Sequence, residues 1–197
     1  MKNIFIVVIV VIIAALGWYV LPHTDTPNTS NEHTQENDKG VATDYKNGSY
    51  EVDGTWVQLQ NGISQVPILE GSASMVTTQY FGNEVRGDFD GDGDEDIAFI
   101  LTQDGGGSGI FFYLVGAINE GTGYRGTPAV LIGDRVAPQT TEFRNLPAGQ
   151  AGGTVIVNYA DRKEGEAMAA VPSVGKSLYL KYNAQAGVFE EVAPGSM

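Results

Sequence analysis

Short runs of β-favouring residues, separated by turn residues, dominate the sequence from about residue 47 onward. The runs are rich in Val, Ile, Thr, Tyr and Phe, and many alternate between apolar and polar residues, which is typical of half-buried strands. Apolar residues at the spacing of an amphipathic helix are scarce. The pattern therefore predicts an all-β fold of roughly nine to eleven short strands, mainly an antiparallel sandwich, barrel or curled sheet.

Individual runs locate several of these strands. Residues 109–118 read GIFFYLVGAI, an almost continuously apolar run that favours a central strand. An alternating run from Thr55 ends in an Asn61-Gly62 turn, and the last strand-like residues predict a hairpin around Gly187. The segment from Arg162 to Ala170 is the single predicted short helix.

The chain begins with an apolar segment. Eighteen largely apolar residues without a charge run from Ile4 to Leu21, which is enough to cross about 30 Å of hydrocarbon as a helix. Trp18 and Tyr19 stand at its far end, where aromatic rings favour the membrane interface, and Lys2 on the near side orients the N-terminus toward the cytoplasm. We therefore expect residues 1–21 to form a transmembrane signal-anchor, with the rest of the chain outside the cytoplasm.

Two regions follow this segment. Residues 22–46 are rich in Thr, Asn, Asp, Glu and Pro and bury too little apolar surface to fold, so we predict a disordered polar linker. Residues 47–197 are the predicted extracytoplasmic β domain. The alternative for the N-terminus is a signal peptide cleaved near Gly17, which would leave a secreted protein. A lipid-modified N-terminal cysteine is excluded, because the chain has no cysteine.

The composition excludes several functional classes. Without cysteine, the chain forms neither disulfides nor thiolate metal sites. The two histidines, His23 and His33, both lie in the linker, so a histidine base for a serine nucleophile is not expected in the folded domain. The formal net charge is −13, from 24 acidic and 11 basic residues. Nucleic acid is therefore not an expected partner.

An acidic run, DFDGDGDED at residues 88–96, contains six acidic side chains and two glycines. Carboxylates at alternate positions of a tight turn converge on one point, and the glycines permit the positive φ angles that curl the chain. Oxygen ligands in this number favour Ca²⁺ over Mg²⁺. The predicted ligands are the side chains of Asp88, Asp90, Asp92 and Asp96 and the backbone carbonyl of Asp94. An EF-hand is excluded, because Phe99 stands where its twelfth-position glutamate belongs.

Residues 80–101, YFGNEVRGDFDGDGDEDIAFIL, resemble the FG-GAP repeat of integrin α subunits and related bacterial VCBS-type repeats. The likeness consists of Phe81-Gly82 and Gly87-Asp88-Phe89 at the strand and loop entry, the D-x-D-x-D-G-x-x-D loop itself, and Ile97-Ala98 after it. It implies a calcium loop between two strands. It covers 22 residues of 197, and no second D-x-D-x-D-G occurs in the chain. A complete propeller of about four to eight blades is therefore not expected.

Three other motifs carry no predicted function. Arg86-Gly87-Asp88 spells an adhesion tripeptide, but its aspartate is the predicted first calcium ligand. Residues 170–177, AVPSVGKS, fit a relaxed phosphate-loop pattern, yet an alternating strand pattern follows them instead of a helix. The glycine-rich residues 105–109 lack the last glycine of a nucleophile elbow.

The leading functional hypothesis is a membrane-anchored extracytoplasmic β domain that binds calcium. It would act as a binding or structural module of the cell envelope, with a protein or polysaccharide partner. The first alternative is a membrane-tethered hydrolase that uses carboxylates. Its candidate acids are Asp134, Glu142, Asp161 and Glu164. The second alternative is a small inhibitor or receptor accessory, which an exposed apolar patch would favour.

Overall fold

The computed structural model describes residues 41–147 and 152–195, which form twelve β-strands. All pairings between these strands are antiparallel, so the predicted all-β, antiparallel class is confirmed. The strands are β1 (Ser49–Val52), β2 (Thr55–Gln58), β3 (Ile63–Pro67), β4 (Met75–Gly87), β5 (Asp96–Asp104), β6 (Phe111–Asn119), β7 (Tyr124–Gly126), β8 (Val130–Asp134), β9 (Ala137–Asn145), β10 (Gly153–Asp161), β11 (Val174–Asn183) and β12 (Val188–Glu191).

The strands form three sheets. The largest has six strands in the order β3-β4-β5-β6-β7, with β8 also paired to β6. The second has the order β12-β11-β10-β9, and β1 and β2 form a separate hairpin. Strand β6 has β5 on one edge and both β7 and β8 on the other. The prediction of a central strand over the GIFFYLVGAI run is therefore confirmed.

The six-stranded sheet is the middle of three layers. On one of its faces, Ile100 and Leu114 pack with residues of the four-stranded sheet such as Val157 and Leu180. On the other face, Phe99 packs with residues of the β1–β2 hairpin such as Tyr50. Because successive strand residues point to opposite faces, a strand covered on both sides must be apolar at every position. The first six residues of β5 are all buried, which accounts for its unbroken apolar run after Asp96.

The folded part begins before residue 47. The backbone N–H of Ala42 donates to the carbonyl of Tyr124 at 2.9 Å, and the Tyr124 N–H donates back at 2.7 Å. A single 3-10 turn, Tyr45–Asn47, follows. The ring centroid of Tyr45 lies 5.5 Å from that of Phe99 in the core. The last residues of the segment whose composition predicts a linker, 22–46, therefore pack against the domain.

The predicted transmembrane segment, residues 1–21, lies outside the described residues, as does most of the linker. Within residues 41–147 and 152–195, no helix has the length and apolar character needed to cross a bilayer.

The predicted helix from Arg162 to Ala170 is wrong. These residues form turns in the connection between β10 and β11. Gly165 has a φ of 80°, which a right-handed helix does not allow, and Glu166 N–H closes a tight turn on the Lys163 carbonyl at 3.1 Å. The strand prediction also omitted β1, β3 and β7, whose runs are only three to five residues long.

Three tyrosine hydroxyls donate hydrogen bonds to carboxylates. Tyr45 and Tyr80 both donate to Glu84 Oε1, at 2.5 and 2.6 Å. Tyr113 donates to Asp53 Oδ2 in the β1–β2 turn at 2.7 Å. Burial, followed by the hydrogen bond to Glu84, raises the pKa of Tyr45 to about 12. Burial likewise raises the pKa of Tyr80 and of Tyr113 above the usual range, and their carboxylate partners add to the rise.

These raised pKa values predict alkaline unfolding. The folded state favours the protonated phenols, so their contribution to stability is complete below the ordinary tyrosine pKa of about 10. This contribution to stability is lost as the pH rises above about 10 and through the pKa of Tyr45 in the folded state, about 12. Circular dichroism should show the melting temperature falling over this interval, with the absorbance of tyrosinate from these residues appearing together with unfolding. Ionisation of every tyrosine near pH 10 in a protein that stays folded would contradict this assignment.

Candidate metal site

The acidic loop connects the paired ends of β4 and β5. Gly87 at the end of β4 lies opposite Asp96 at the start of β5, so residues 88–95 form the connection of a hairpin. Gly91 and Gly93 have φ angles of 86° and 97°, as predicted for the glycines that curl this segment. The hairpin therefore brings Asp96, the first residue of β5, close to Asp88, the first residue after β4.

Three of the predicted ligands converge. One carboxylate oxygen from each of Asp88, Asp90 and Asp96 lies within 4.8 Å of the other two. Asp92 and Asp94 are exposed, and their carboxylates lie outside this group. Asp92 Oδ1 instead accepts the N–H of Asp94 at 2.8 Å. The structure thus brings together three of the four carboxylates predicted as ligands and leaves that of Asp92 on the solvent side of the loop. The ligand predicted from Asp94 is its backbone carbonyl, not its side chain.

Backbone amides hold the first two carboxylates in place. Asp88 accepts the N–H of Gly91 at 2.6 Å on one oxygen and that of Gly93 at 3.1 Å on the other. Asp90 accepts the N–H of Asp92 at 3.2 Å. A carboxylate oxygen has a second lone pair after it accepts one hydrogen bond, so these contacts orient the oxygens without exhausting them as ligands.

Asp96 is the most deeply buried member of the cluster, with no exposed surface. Its Oδ2 accepts the N–H of Phe89 at 2.7 Å, and its Oδ1 accepts the N–H of Asn119 at 2.8 Å. Burial raises the pKa of Asp96 to about 6, although these two hydrogen bonds oppose the rise. The charges of Asp90 and Asp92 raise the pKa further. One buried carboxylate therefore joins the acidic loop to the end of β6.

The cluster has no basic counterpart within the described residues, because no salt bridge there involves Asp88, Asp90 or Asp96. Arg86, nearby in the chain, donates instead to Glu95 at 3.1 Å on the exposed rim. Burial raises the pKa of Asp90, and the charges of Asp92 and Asp88 add to the rise. A set of carboxylate oxygens with unneutralised charge fits a hard cation such as Ca²⁺.

Phe89, between two of these aspartates, links the loop to the second sheet. Its side chain is 3 % exposed. Its ring centroid lies 5.0 Å from that of Phe143 in β9 and 5.8 Å from that of Phe189 in β12. The loop that carries the acidic cluster therefore also supplies a core residue between the two large sheets.

Three of the four acids considered for hydrolysis line one open cavity of about 790 Å³: Asp134, Asp161 and Glu164. Glu142 lies elsewhere, beside Arg144 at 3.4 Å. Hydrogen bonds from Arg135 lower the pKa of Asp134, and hydrogen bonds from Lys176 lower that of Asp161. A general acid at neutral pH needs a raised pKa. Asp134 and Asp161 therefore lack the raised pKa that a general acid in the hydrolase alternative requires.

The structure also bears on two of the other motifs. The carboxylate of Asp88 accepts two loop amides, so the Arg86-Gly87-Asp88 tripeptide does not present a free aspartate. Residues 170–177 continue into β11 rather than into a helix, so they lack the helix N-terminus of a phosphate loop.

Two contributors to the site were not among the predicted residues. Asn119 supplies its backbone N–H from a strand 23 positions along the chain, and no local sequence pattern indicates that contact. The burial of Phe89 could have been predicted from the sequence, because it is the one apolar side chain in the otherwise polar run from Asp88 to Asp96. A single apolar residue inside a charged loop is best explained by burial, and the packing of Phe89 agrees with that explanation.

No protein-family model, curated protein or solved structure matches this chain. The likeness to FG-GAP and VCBS-type repeats therefore rests on residues 80–101 alone.

Removing the Phe89 ring tests the link between the loop and the second sheet. Phe89→Ala should lower the free energy of unfolding by about 3–5 kcal/mol, because it leaves a cavity beside the rings of Phe143 and Phe189. Phe81→Ala is the matched control. That ring is 45 % exposed, and its removal should cost about 1 kcal/mol or less. Urea unfolding measures both, and equal losses in the two variants would contradict the assigned role of Phe89.

Proposed function

We propose that this chain is a membrane-anchored, extracytoplasmic β domain that binds one calcium ion in loop 88–96 and serves as a binding or structural module of the cell envelope. The observation that carries the proposal is the convergence of carboxylate oxygens from Asp88, Asp90 and Asp96 within 4.8 Å of one another. No salt bridge in residues 41–147 and 152–195 neutralises their charge, and the D-x-D-x-D-G-x-x-D spacing is that of a calcium loop.

The donor set favours calcium over other metals. Carboxylates and backbone carbonyls are ligands for hard cations, whereas zinc sites use cysteine and histidine. The domain has no cysteine, and both histidines precede it. Magnesium requires a rigid octahedral arrangement and retains several waters, whereas calcium accepts the irregular geometry of a flexible loop. In the proposed site, Asp92 and the Asp94 carbonyl complete the ligand set from the exposed side of the loop.

The ion's proposed role is structural. Burial of Asp96 and the crowding of Asp88, Asp90 and Asp92 are unfavourable without a counter-charge. A bound cation removes this repulsion and holds the loop in the form in which Phe89 enters the core. We expect an affinity in the micromolar-to-millimolar range of extracellular calcium modules.

The cellular placement comes from the sequence. Residues 1–21 are the proposed membrane anchor, and the linker places the β domain outside the cytoplasm; cleavage near Gly17 remains the alternative and gives a secreted protein. The partner is then an envelope protein or polysaccharide, and nucleic acid is not proposed because of the net charge of −13. The lowered pKa values of Asp134 and Asp161 do not support the hydrolase alternative, so we do not adopt it.

Calcium should stabilise the full-length protein. At a free concentration ten times the dissociation constant, the gain is about 1.4 kcal/mol, which corresponds to about 3–6 °C in melting temperature for a domain of this size. Circular dichroism melts with calcium and with a chelator measure the difference. Asp90→Asn should abolish most of the shift and leave the calcium-free protein no less stable, because it relieves repulsion.

Asp94→Asn is the matched control, because it makes the same substitution but keeps the proposed backbone ligand. Its calcium shift should equal that of the wild-type protein. The calcium site is refuted if millimolar calcium leaves the wild-type melting temperature unchanged, or if both variants respond as the wild type does.

A further inference from the structure

A cavity lies on the outer face of the four-stranded sheet, away from the core between the two large sheets. Its volume is about 200 Å³. An engineered apolar cavity of about 150 Å³ binds benzene, so this volume is sufficient for a small organic molecule. The lining comes from β9, β10 and β11 and from the segment that follows β12, and it includes Arg144, Thr154, Ile156, Tyr179, Val192 and Gly195.

The strand register explains which side chains form the cavity. Val155 of β10 packs in the core, so its neighbours Thr154 and Ile156 point to the opposite face of the sheet. Thr154 pairs with Arg144 of β9, and Ile156 pairs with Tyr179 of β11. Residues directly opposite each other in an antiparallel pair have their side chains on the same face. The guanidinium of Arg144 and the ring of Tyr179 therefore share the outer face with the two β10 residues.

The segment after β12 covers this outer face. The N–H of Val192 donates to the carbonyl of Tyr179 at 2.9 Å, which extends the pairing of β12 with β11. Gly195, three residues later, lines the same cavity as Arg144, although β12 and β9 are the opposite edge strands of the sheet. The segment therefore crosses above the sheet. This crossing accounts for the burial of Ile156, which is 2 % exposed although it points away from the core.

Thr154 is a buried polar residue of this cavity. It is 3 % exposed, and its hydroxyl has no hydrogen-bond partner within the described part of the chain. Further along the same face, Asn158 has partners on both sides, since its amide nitrogen donates to Thr140 Oγ1 at 2.9 Å and its amide oxygen accepts the Ser177 hydroxyl at 2.6 Å. A buried hydroxyl without a partner is unfavourable. A polar ligand atom that bonds to Thr154 would remove that penalty.

Arg144 gives the cavity a positive charge in a chain whose net charge is −13. Its side chain is half-exposed, and its Nη2 donates to Glu142 Oε2 at 3.4 Å, which is longer than an ordinary hydrogen bond. A guanidinium has five N–H donors, so this single contact leaves donors for a ligand. Ile156 and Val192 add apolar surface. The cavity thus combines a cation and a hydroxyl with apolar walls.

We propose that this cavity binds a small organic carboxylate, an anion whose apolar body is about the size of a benzene ring. Side chains directly opposite each other have Cβ atoms about 5 Å apart, so one carboxylate reaches both Arg144 and Thr154. It pairs with the planar guanidinium and accepts the hydroxyl hydrogen. The apolar body packs on Ile156 and Tyr179. The proposal goes beyond calcium binding and does not depend on it, because these residues lie outside the acidic loop.

The test is isothermal titration calorimetry of the full-length protein in detergent, with a blank titration that corrects for partition of the ligand into micelles. The probe is benzoate. Benzyl alcohol and benzylamine replace its carboxylate with a neutral and a cationic group, and acetate lacks the ring. We expect saturable binding of benzoate in the micromolar-to-millimolar range and no saturable binding of the other three molecules over the same range.

Arg144→Gln tests the charge. It should weaken the affinity for benzoate about tenfold, because it removes the cation that pairs with the carboxylate. The substituted side chain is half-exposed, so the fold should be retained. Lys163→Gln is the matched control, because it removes the same charge from an exposed turn residue that lines a different cavity. Its affinity for benzoate should equal that of the wild-type protein.

Thr154→Val tests the hydroxyl, because it keeps the shape of the side chain. It should weaken benzoate binding about fivefold. The melting temperature of the ligand-free protein should stay the same or rise, since the hydroxyl removed is buried without a partner. Thr154→Ser keeps the hydroxyl and should retain most of the affinity. The proposal is overturned if benzoate shows no saturable binding up to millimolar concentration, if benzyl alcohol binds as tightly as benzoate, or if Arg144→Gln and Thr154→Val both bind benzoate as the wild type does.

Discussion

This part of the structure depends on the two hydrogen bonds that the buried carboxylate of Asp96 accepts. The carboxylate is a charged group without exposed surface, and it accepts the backbone N–H groups of Phe89 and Asn119. Those two bonds join three segments: the acidic loop, the start of β5 and the end of β6. A buried acceptor left without donors would be strongly unfavourable, and the donors here come from fixed strand ends. The position of the loop is therefore determined by the sheet rather than by the loop's own sequence.

That arrangement concentrates negative charge where no basic side chain of the described part of the chain forms a salt bridge with it. The loop also delivers Phe89 to the core between the two large sheets, so repulsion in the loop acts directly on their packing. The β6–β7 turn extends the connection, because Asn119 at the end of β6 pairs with Tyr124 at the start of β7. In our account, calcium stabilises this end of the domain.

Structural features that depend on local sequence pattern were predicted correctly. Features that depend on contacts between residues distant in the chain were not. The long apolar and alternating runs correspond to strands, and the hairpin at Gly187 is present. The helix expected at 162–170 is absent, because Gly165 turns the chain with a positive φ angle. The convergence of Asp88, Asp90 and Asp96 followed from their spacing. The contact with Asn119 arises from topology, which short-range patterns do not specify.

The most direct test of the account is the number of calcium ions that the chelator-treated, full-length protein binds in isothermal titration calorimetry. The account predicts one saturable site per chain in the micromolar-to-millimolar range, which magnesium at the same concentration does not displace. Absence of saturable calcium binding over that range would show that the cluster at Asp88, Asp90 and Asp96 is held by the protein's hydrogen bonds alone, and would contradict the central claim.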